Sequence, residues 1–373
     1  MKDGTDIMIF VADPGPANYI ATLPAALAKK GRETTVFAAG LAREHLRKRG
    51  IRFEPVSPFM TADDVLSKIC PRLLLTGTSE NPDSLGLSLI LAARRERITS
   101  VGLIDAGVNA IYRFRGRHQD SRAYAPDWIL VPDEWTRQDF ITLGFPEEKT
   151  IVCGHPNYDH VMDQKKFLSD EGRLAVRHRL LPGVPDDKKI LIFVSEGSEN
   201  VQLLSPKTPL QEYSMTGRGC RTGRTEIIME EFLIALKSIP QKPYLLLRLH
   251  PKDDPDDFLA YVGDFDWIDW EAPVHELVFC ADLVVGMTSM LIMEAALLGR
   301  PTLPILPRDI EKDWLHSIRA GMTTYVTKRS ELIKVLADHL KTDFDPLAGN
   351  NRPFIPYGSL QRTVGFIDDL LRS

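Results

Sequence analysis

The feature that most constrains this chain is a twice-repeated series of short apolar, β-branched-rich runs, each separated from the next by a longer helical pattern. Such alternation is the signature of βαβ units, whose parallel strands are covered by helices on both faces and so read as nearly unbroken hydrophobic segments. The first series predicts strands near Ile7–Ala12, Thr34–Ala38, Arg52–Pro55, Leu73–Thr76, Ser100–Ile104, Trp128–Val131 and Thr150–Cys153, with helices between them such as Ala17–Lys30 and Ser84–Arg97. The second restarts at Ile190–Val194 and runs through Tyr244–Leu249, Trp267–Trp270, Leu283–Gly286, Thr302–Leu306 and Thr324–Thr327. The fold class is therefore α/β, with two doubly wound, Rossmann-like domains facing a cleft, and ligands are expected beyond the carboxyl ends of the strands. Residues 1–160 are assigned to an N-terminal Rossmann-like domain and 189–350 to a C-terminal one. Between them, 161–188 reads as a linker holding a charged helix (GRLAVRHRL) and the turn-rich LPGVPDD; 351–373 ends in a helix expected to pack back on the first domain.

Composition narrows the function classes. With 373 residues, 43% of them hydrophobic and 26% charged, the chain can bury two cores and fits neither a disordered protein nor a disulfide scaffold. Its 46 Lys+Arg against 51 Asp+Glu leave a formal charge of -5, which argues against a nucleic-acid partner. Cys70, Cys153, Cys220 and Cys280 form no CxxC pair or metal-ligand spacing, as expected of free thiols in a reducing compartment. Asp3 and Asp6 precede an apolar run too short for a secretory segment, and no apolar stretch approaches the ~20 residues that span a bilayer. A cytoplasmic protein is expected, with at most peripheral contact with the inner face of a membrane.

The most informative segment is ADLVVGMTSMLIMEAALLGRPTLPIL, residues 281–306: strand, turn, apolar helix, strand. Thr288 or Ser289 is the natural N-cap, and the free backbone N–H groups at such a helix start suit a phosphate oxygen as well as an ordinary cap. Glu294 stands alone in LIM-E-AALL and is not three residues after either cap, so a capping box does not account for it. An ionised side chain there needs partners if buried, and the two hydroxyls of a ribose supply a bidentate one; an exposed glutamate is the alternative.

Three further segments carry candidate chemistry. In YLLLRLHPKDD (244–254) proline stops the ladder, so His250 sits at a strand's carboxyl end, where an imidazole can donate to a phosphate or act structurally. After Val194 a long connection opens with Ser195-Glu196-Gly197-Ser198 and closes with Gly217-Arg218-Gly219-Cys220-Arg221-Thr222-Gly223-Arg224-Thr225, suiting an arginine-bearing lid or a flexible basic loop. Its glycine spacing and lack of lysine exclude a P-loop. In the first half, Asp13-Pro14-Gly15-Pro16-Ala17-Asn18 replaces the dinucleotide fingerprint with a stiff turn better suited to an acceptor pocket. Further on, Asp105 stands at a strand end as a general base or a turn cap, followed by Arg113, Arg115, Arg117 and Arg122 among aromatics, a run that suits an anionic acceptor, lipid headgroups or simple solvation.

Together the two-domain plan, VCGHPNYD (152–159), RLHPK and GMTSMLIMEAALLGRP resemble the GT-B superfamily of nucleotide-sugar glycosyltransferases and non-hydrolysing UDP-N-acetylglucosamine 2-epimerases. The resemblance implies that the C-terminal domain holds a nucleotide donor, with Glu294 on the ribose and Thr288 and Ser289 near the phosphates. The His-Pro and Ser/Thr pairs are also similar to motifs of bacterial sialyltransferases, Kdo-type transferases and CDP-glycerol glycerophosphotransferases, which implies donor-phosphate contacts from His250 and Ser289. Those transferases carry an acidic-acidic-Gly motif; here Asp105-Ala106-Gly107 retains one acid.

The expected function is a GT-B glycosyltransferase moving a sugar or related unit from a nucleotide donor to a hydroxyl of a glycan or lipid-linked acceptor. Asp105 and His250 are the expected catalytic residues; Ser195, Gly197, Arg224, His250, Thr288, Ser289 and Glu294 the donor contacts; Gly15, Asn18 and Arg113 the acceptor contacts. No metal or cofactor is expected, because no DxD pair sits at a strand end. A sugar-nucleotide 2-epimerase and a catalytically silent GT-B-like binding protein are the alternatives.

Overall fold

The computed structural model describes residues 6–197, 213–219, 221, 223–341 and 357–372. It divides into two compact units, Met1–His160 with Ile355–Ser373, and Val161–Phe354.

The first unit is built on a parallel sheet of β1 (Ile7–Val11), β2 (Thr34–Ala38), β3 (Glu54–Pro55), β4 (Leu73–Gly77), β5 (Thr99–Leu103), β6 (Trp128–Val131) and β7 (Thr150–Val152), in the order β3-β2-β1-β4-β5-β6-β7. β1 (IMIFV) and β4 are buried at every position, as strands covered on both faces must be. The order reverses between β1 and β4, which opens a crevice at their carboxyl ends. The continuous helix expected over Ala17–Lys30 is instead two, α1 (Pro14–Ile20) and α2 (Leu23–Ala28). The break follows from Pro24, whose missing N–H cannot serve the carbonyl of Ile20. α3 (Ala42–Lys48) and α4 (Ala62–Ile69) follow; α4 starts on a capping box in which Thr61 and Asp64 exchange side-chain and backbone hydrogen bonds. α5 (Leu85–Arg95), with Ser84 as its cap, and α6 (Glu134–Thr142) complete the cover. The strand expected over Arg52–Pro55 shortens to the two residues of β3 at the sheet edge.

The second unit begins within α7 (Pro156–Glu171) and continues through α8 (Arg173–Leu180). Residues 161–188 therefore lie within this unit, tied in by Arg173, which donates to the Cys280 carbonyl at 2.7 Å and pairs with Asp282 at 2.9 Å. The sheet comprises β8 (Ile190–Val194), β9 (Tyr244–Arg248), β10 (Trp267–Asp269), β11 (Leu283–Gly286) and β12 (Thr302–Pro304), all parallel, in the order β10-β9-β8-β11-β12. Here the reversal lies between β8 and β11. Its helices are α9 (Arg224–Leu236), α10 (Val274–Cys280), α11 (Met290–Leu297), α12 (His316–Arg319) and α13 (Arg329–His339). The strand expected over Thr324–Thr327 is reduced to one bridge between Ile305 and Val326.

The last helix, α14 (Ser359–Arg372), belongs to the first unit, where Val364, Ile367 and Leu371 join the core formed by Ile7, Ile9 and Val11. Its start is fixed by the buried Asp159, whose carboxylate accepts the Gly358 N–H at 3.1 Å and the Leu360 N–H at 2.8 Å. Asp159→Ala removes the acceptor for both and is expected to lower stability by about 1–2 kcal/mol, while Asp159→Asn should recover part of it. Urea unfolding monitored by circular dichroism measures this; equal midpoints for all three proteins would contradict it.

Candidate functional site

In the second unit the residues after β8, β9 and β11 meet at the switch point. Ser195, directly after β8, is fully buried; its hydroxyl donates to the Arg248 carbonyl at 3.1 Å and to Asp253, and accepts the His250 N–H at 2.7 Å. Ser195 thus orients the His250 turn rather than presenting a hydroxyl to a ligand. Asp253 also accepts the His250 N–H at 2.9 Å, and Nδ1 of His250 accepts the Lys252 N–H at 3.1 Å. With Nδ1 an acceptor, the assigned tautomer carries its hydrogen on Nε2, the nitrogen able to donate. Gly197 packs against this turn: a Cβ there would fall 2.9 Å from both His250 Nδ1 and Lys252 Cβ.

The α11 start is already engaged. Ser289 is its N-cap and accepts the Leu291 N–H at 3.3 Å. Thr288 donates its backbone N–H to Glu196, and its hydroxyl donates to the same carboxylate at 3.1 Å. Arg224, at the first turn of α9 and 5% exposed, donates to Glu196 at 2.6 Å through Nη1 and to Glu311 at 2.9 Å through Nε. It also reaches the Thr288 hydroxyl at 3.4 Å. Burial opposes its charge, but Glu196 and Glu311 outweigh that and hold the guanidinium above its usual range. The fully buried Glu311 also accepts from Arg308 at 2.8 Å. Arg224 and Thr288, both expected donor contacts, are thus held by internal carboxylates in this structure.

Glu294 lies in α11 among Ile292, Met293, Ala295 and Ala296, is 7% exposed, and pairs with the Nε2 of His275 from α10 at 3.1 Å. Residues 198–212, the middle of the connection after β8, lie outside the described residues, as does Cys220.

The first unit gathers a second set at its own switch point. Asp13, after β1, accepts from the Ser79 hydroxyl at 2.7 Å. Asp105, after β5 and 8% exposed, pairs with the buried Arg113 at 3.4 Å, and Glu80 approaches Arg113 at 3.7 Å. Burial pushes the Asp105 carboxyl above its usual range; Arg113 opposes this, and the charges of Asp13 and Glu80 reinforce it. Gly15 is needed for the approach, since a Cβ there would lie 2.0 Å from an Asp105 oxygen. Asn18 pairs with His45 at 2.6 Å. Asp105 is thus a buried acid paired with an arginine. Within the arginine run, Arg117 is exposed and paired with Asp83, Arg122 donates to the Gly144 carbonyl at 2.8 Å, and Arg115 stacks over Tyr112 at 4.8 Å.

Sequence reasoning missed the partners Glu311, Asp253, His275, Glu80 and Asp13. Asp253, three residues after His250 in HPKDD, was visible as turn chemistry. The others are joined only by the fold. Among the described residues, no group of three or more His, Cys, Asp and Glu side chains is arranged to hold a metal ion, and no helix is long and apolar enough to cross a membrane.

No protein-family model and no curated protein sequence matches the chain. Solved structures do. A UDP-GlcNAc 2-epimerase from Neisseria meningitidis bound to UDP-GlcNAc matches with a TM-score of 0.68 at 16% identity, over 98% of this chain and 100% of that one. The UDP-GlcNAc 2-epimerase from Methanocaldococcus jannaschii matches at 0.66 and 15% identity, over 97% and 99%. The wall teichoic acid polymerase TagF, soaked with CDPG, matches at 0.56 and 14% identity, over 99% and 89%. Matched nearly end to end by these proteins, and built from two parallel-sheet α/β units, the chain has the GT-B fold.

Proposed function

We propose that the chain is an enzyme of nucleotide-activated sugars, with the donor held at the carboxyl edge of the β8–β12 sheet. The observation that carries this is Glu294, a nearly buried carboxylate in an otherwise apolar helix that begins beyond β11. His275 engages Glu294 at Oε2, and a carboxylate, which accepts at two oxygens, matches the two vicinal hydroxyls of a ribose. The GT-B fold, shared with proteins crystallised with UDP-GlcNAc and CDPG, supports the same reading.

The favoured reaction is transfer of the sugar, or a related unit, to a hydroxyl acceptor in glycan synthesis. His250, held by Ser195, Asp253 and the Lys252 N–H, offers Nε2–H to the leaving phosphate, where a pre-aimed donor stabilises charge as it develops. Gly197 lets the chain pass close to that imidazole, and Ser289 sets the start of α11. Asp105 takes the acceptor proton, its raised affinity for protons bringing it nearer to the working range of a general base at neutral pH. Gly15 leaves room for it and Arg113 fixes its carboxylate, roles that replace direct acceptor contact for these two. Epimerisation is the second reading, favoured by the pairing of Asp105 and Glu80 around Arg113: two carboxyls able to exchange protons with one substrate, without an acceptor.

Calorimetry with UDP, CDP, CMP and GDP tests the donor site. Binding of at least one is expected, weakened about tenfold or more by Glu294→Ala; no binding of any would count against an enzyme and leave a silent binding protein. Incubation with UDP-N-acetylglucosamine alone separates the two reactions, since only an epimerase forms product without an acceptor. In either case Asp105→Asn is expected to lower kcat by about 10²–10⁴-fold with nucleotide affinity unchanged. An unaltered kcat would remove Asp105 from the chemistry.

A further inference from the structure

Around the β8–β11 switch point, Glu196 bears a charge of the same sign as a nucleotide's phosphates, yet it takes the donors best placed to receive them. Its carboxylate accepts the Thr288 backbone N–H at the approach to α11, the Thr288 hydroxyl at 3.1 Å and Arg224 Nη1 at 2.6 Å. The Thr225 hydroxyl donates to the Glu196 carbonyl at 2.8 Å and fixes the backbone behind it. A backbone N–H, a hydroxyl and a guanidinium converging on two oxygens make up the donor set that a phosphate takes.

Charge balance separates Glu196 from its neighbour Glu311. Glu311 bridges Arg224 and Arg308 from a fully buried position and is part of the structure that holds both arginines. With Glu196 in place, the two arginines and two glutamates are neutral; without it they carry one positive charge, the sign that favours an anion. The Glu196 side chain is 13% exposed while that of Glu311 is 0% exposed, so Glu196 has a route to water that Glu311 lacks.

We infer that Glu196 is an internal stand-in for the donor's phosphate: its carboxylate and a nucleoside diphosphate compete for Thr288 and Arg224, and the donor binds by displacing it. This rests on the donor edge proposed above. Competition makes the site selective for phosphate charge. A nucleoside lacking phosphates has nothing to offer Arg224 in exchange, whereas a diphosphate replaces one carboxylate with several charged oxygens. Its removal also ends the like-charge repulsion between carboxylate and phosphate.

The test is calorimetry with UDP, uridine and inorganic pyrophosphate on the wild-type chain, Glu196→Gln and Glu196→Ala. Thermal unfolding establishes that each is folded; the near-isosteric Gln keeps the packing should Ala fail. The expected result is that both UDP and pyrophosphate bind Glu196→Gln at least tenfold more tightly than wild type, with uridine affinity unchanged. If UDP binds the wild-type chain, is lost in Glu294→Ala and is not strengthened by either change at 196, the donor site stands and the inference is overturned. If neither UDP nor pyrophosphate binds any of the proteins, both are overturned.

Discussion

The second unit depends on one buried charge arrangement: Arg224 set between Glu196 and Glu311. A guanidinium 5% exposed is tolerable only with carboxylates on it, and removing one partner from such a pair costs about 3–5 kcal/mol by leaving a charge unmet. Through Arg224 the start of α9, the turn after β8, the turn after β11 and the segment after β12 become one rigid assembly. These are the connections that emerge at the carboxyl edge of the sheet, where open parallel sheets leave a crevice.

The first unit solves a parallel problem differently. At its switch point the groups are Asp13, Ser79, Glu80, Asp105 and Arg113, mostly acidic and gathered around one arginine. Such a constellation suits proton exchange rather than anion binding, because a buried carboxyl with acidic neighbours holds its proton more tightly. Two units of similar topology thus carry different groups at equivalent places: backbone N–H, hydroxyl and guanidinium donors held by carboxylates on one, acids around an arginine on the other.

Much of the fold was legible in the sequence. The apolar runs marked both sheets because buried parallel strands have no polar face to interrupt them, and β8 and β11 fall at Ile190–Val194 and Leu283–Gly286 as expected. The failures were local: Pro24 split a helix that periodicity alone made continuous, and the segment over Thr324–Thr327 pairs through a single bridge. Positions were legible where the chain itself marks them, as for His250, placed just beyond the carboxyl end of β9 by the proline that follows it. They were illegible where the deciding partner is distant. Nothing near Arg224 in sequence announces Glu311, and nothing in LIM-E-AALL announces His275; only strand order brings them together.

The central claim is that nucleotide binds at the carboxyl edge of the second sheet. Hydrogen–deuterium exchange with and without saturating nucleoside diphosphate measures this directly. The account predicts added protection concentrated in peptides covering 195–197, 248–253 and 286–297, with the amino ends of β8, β9 and β11 unchanged. Confirmed binding that protected other segments and left these three unaffected would contradict it.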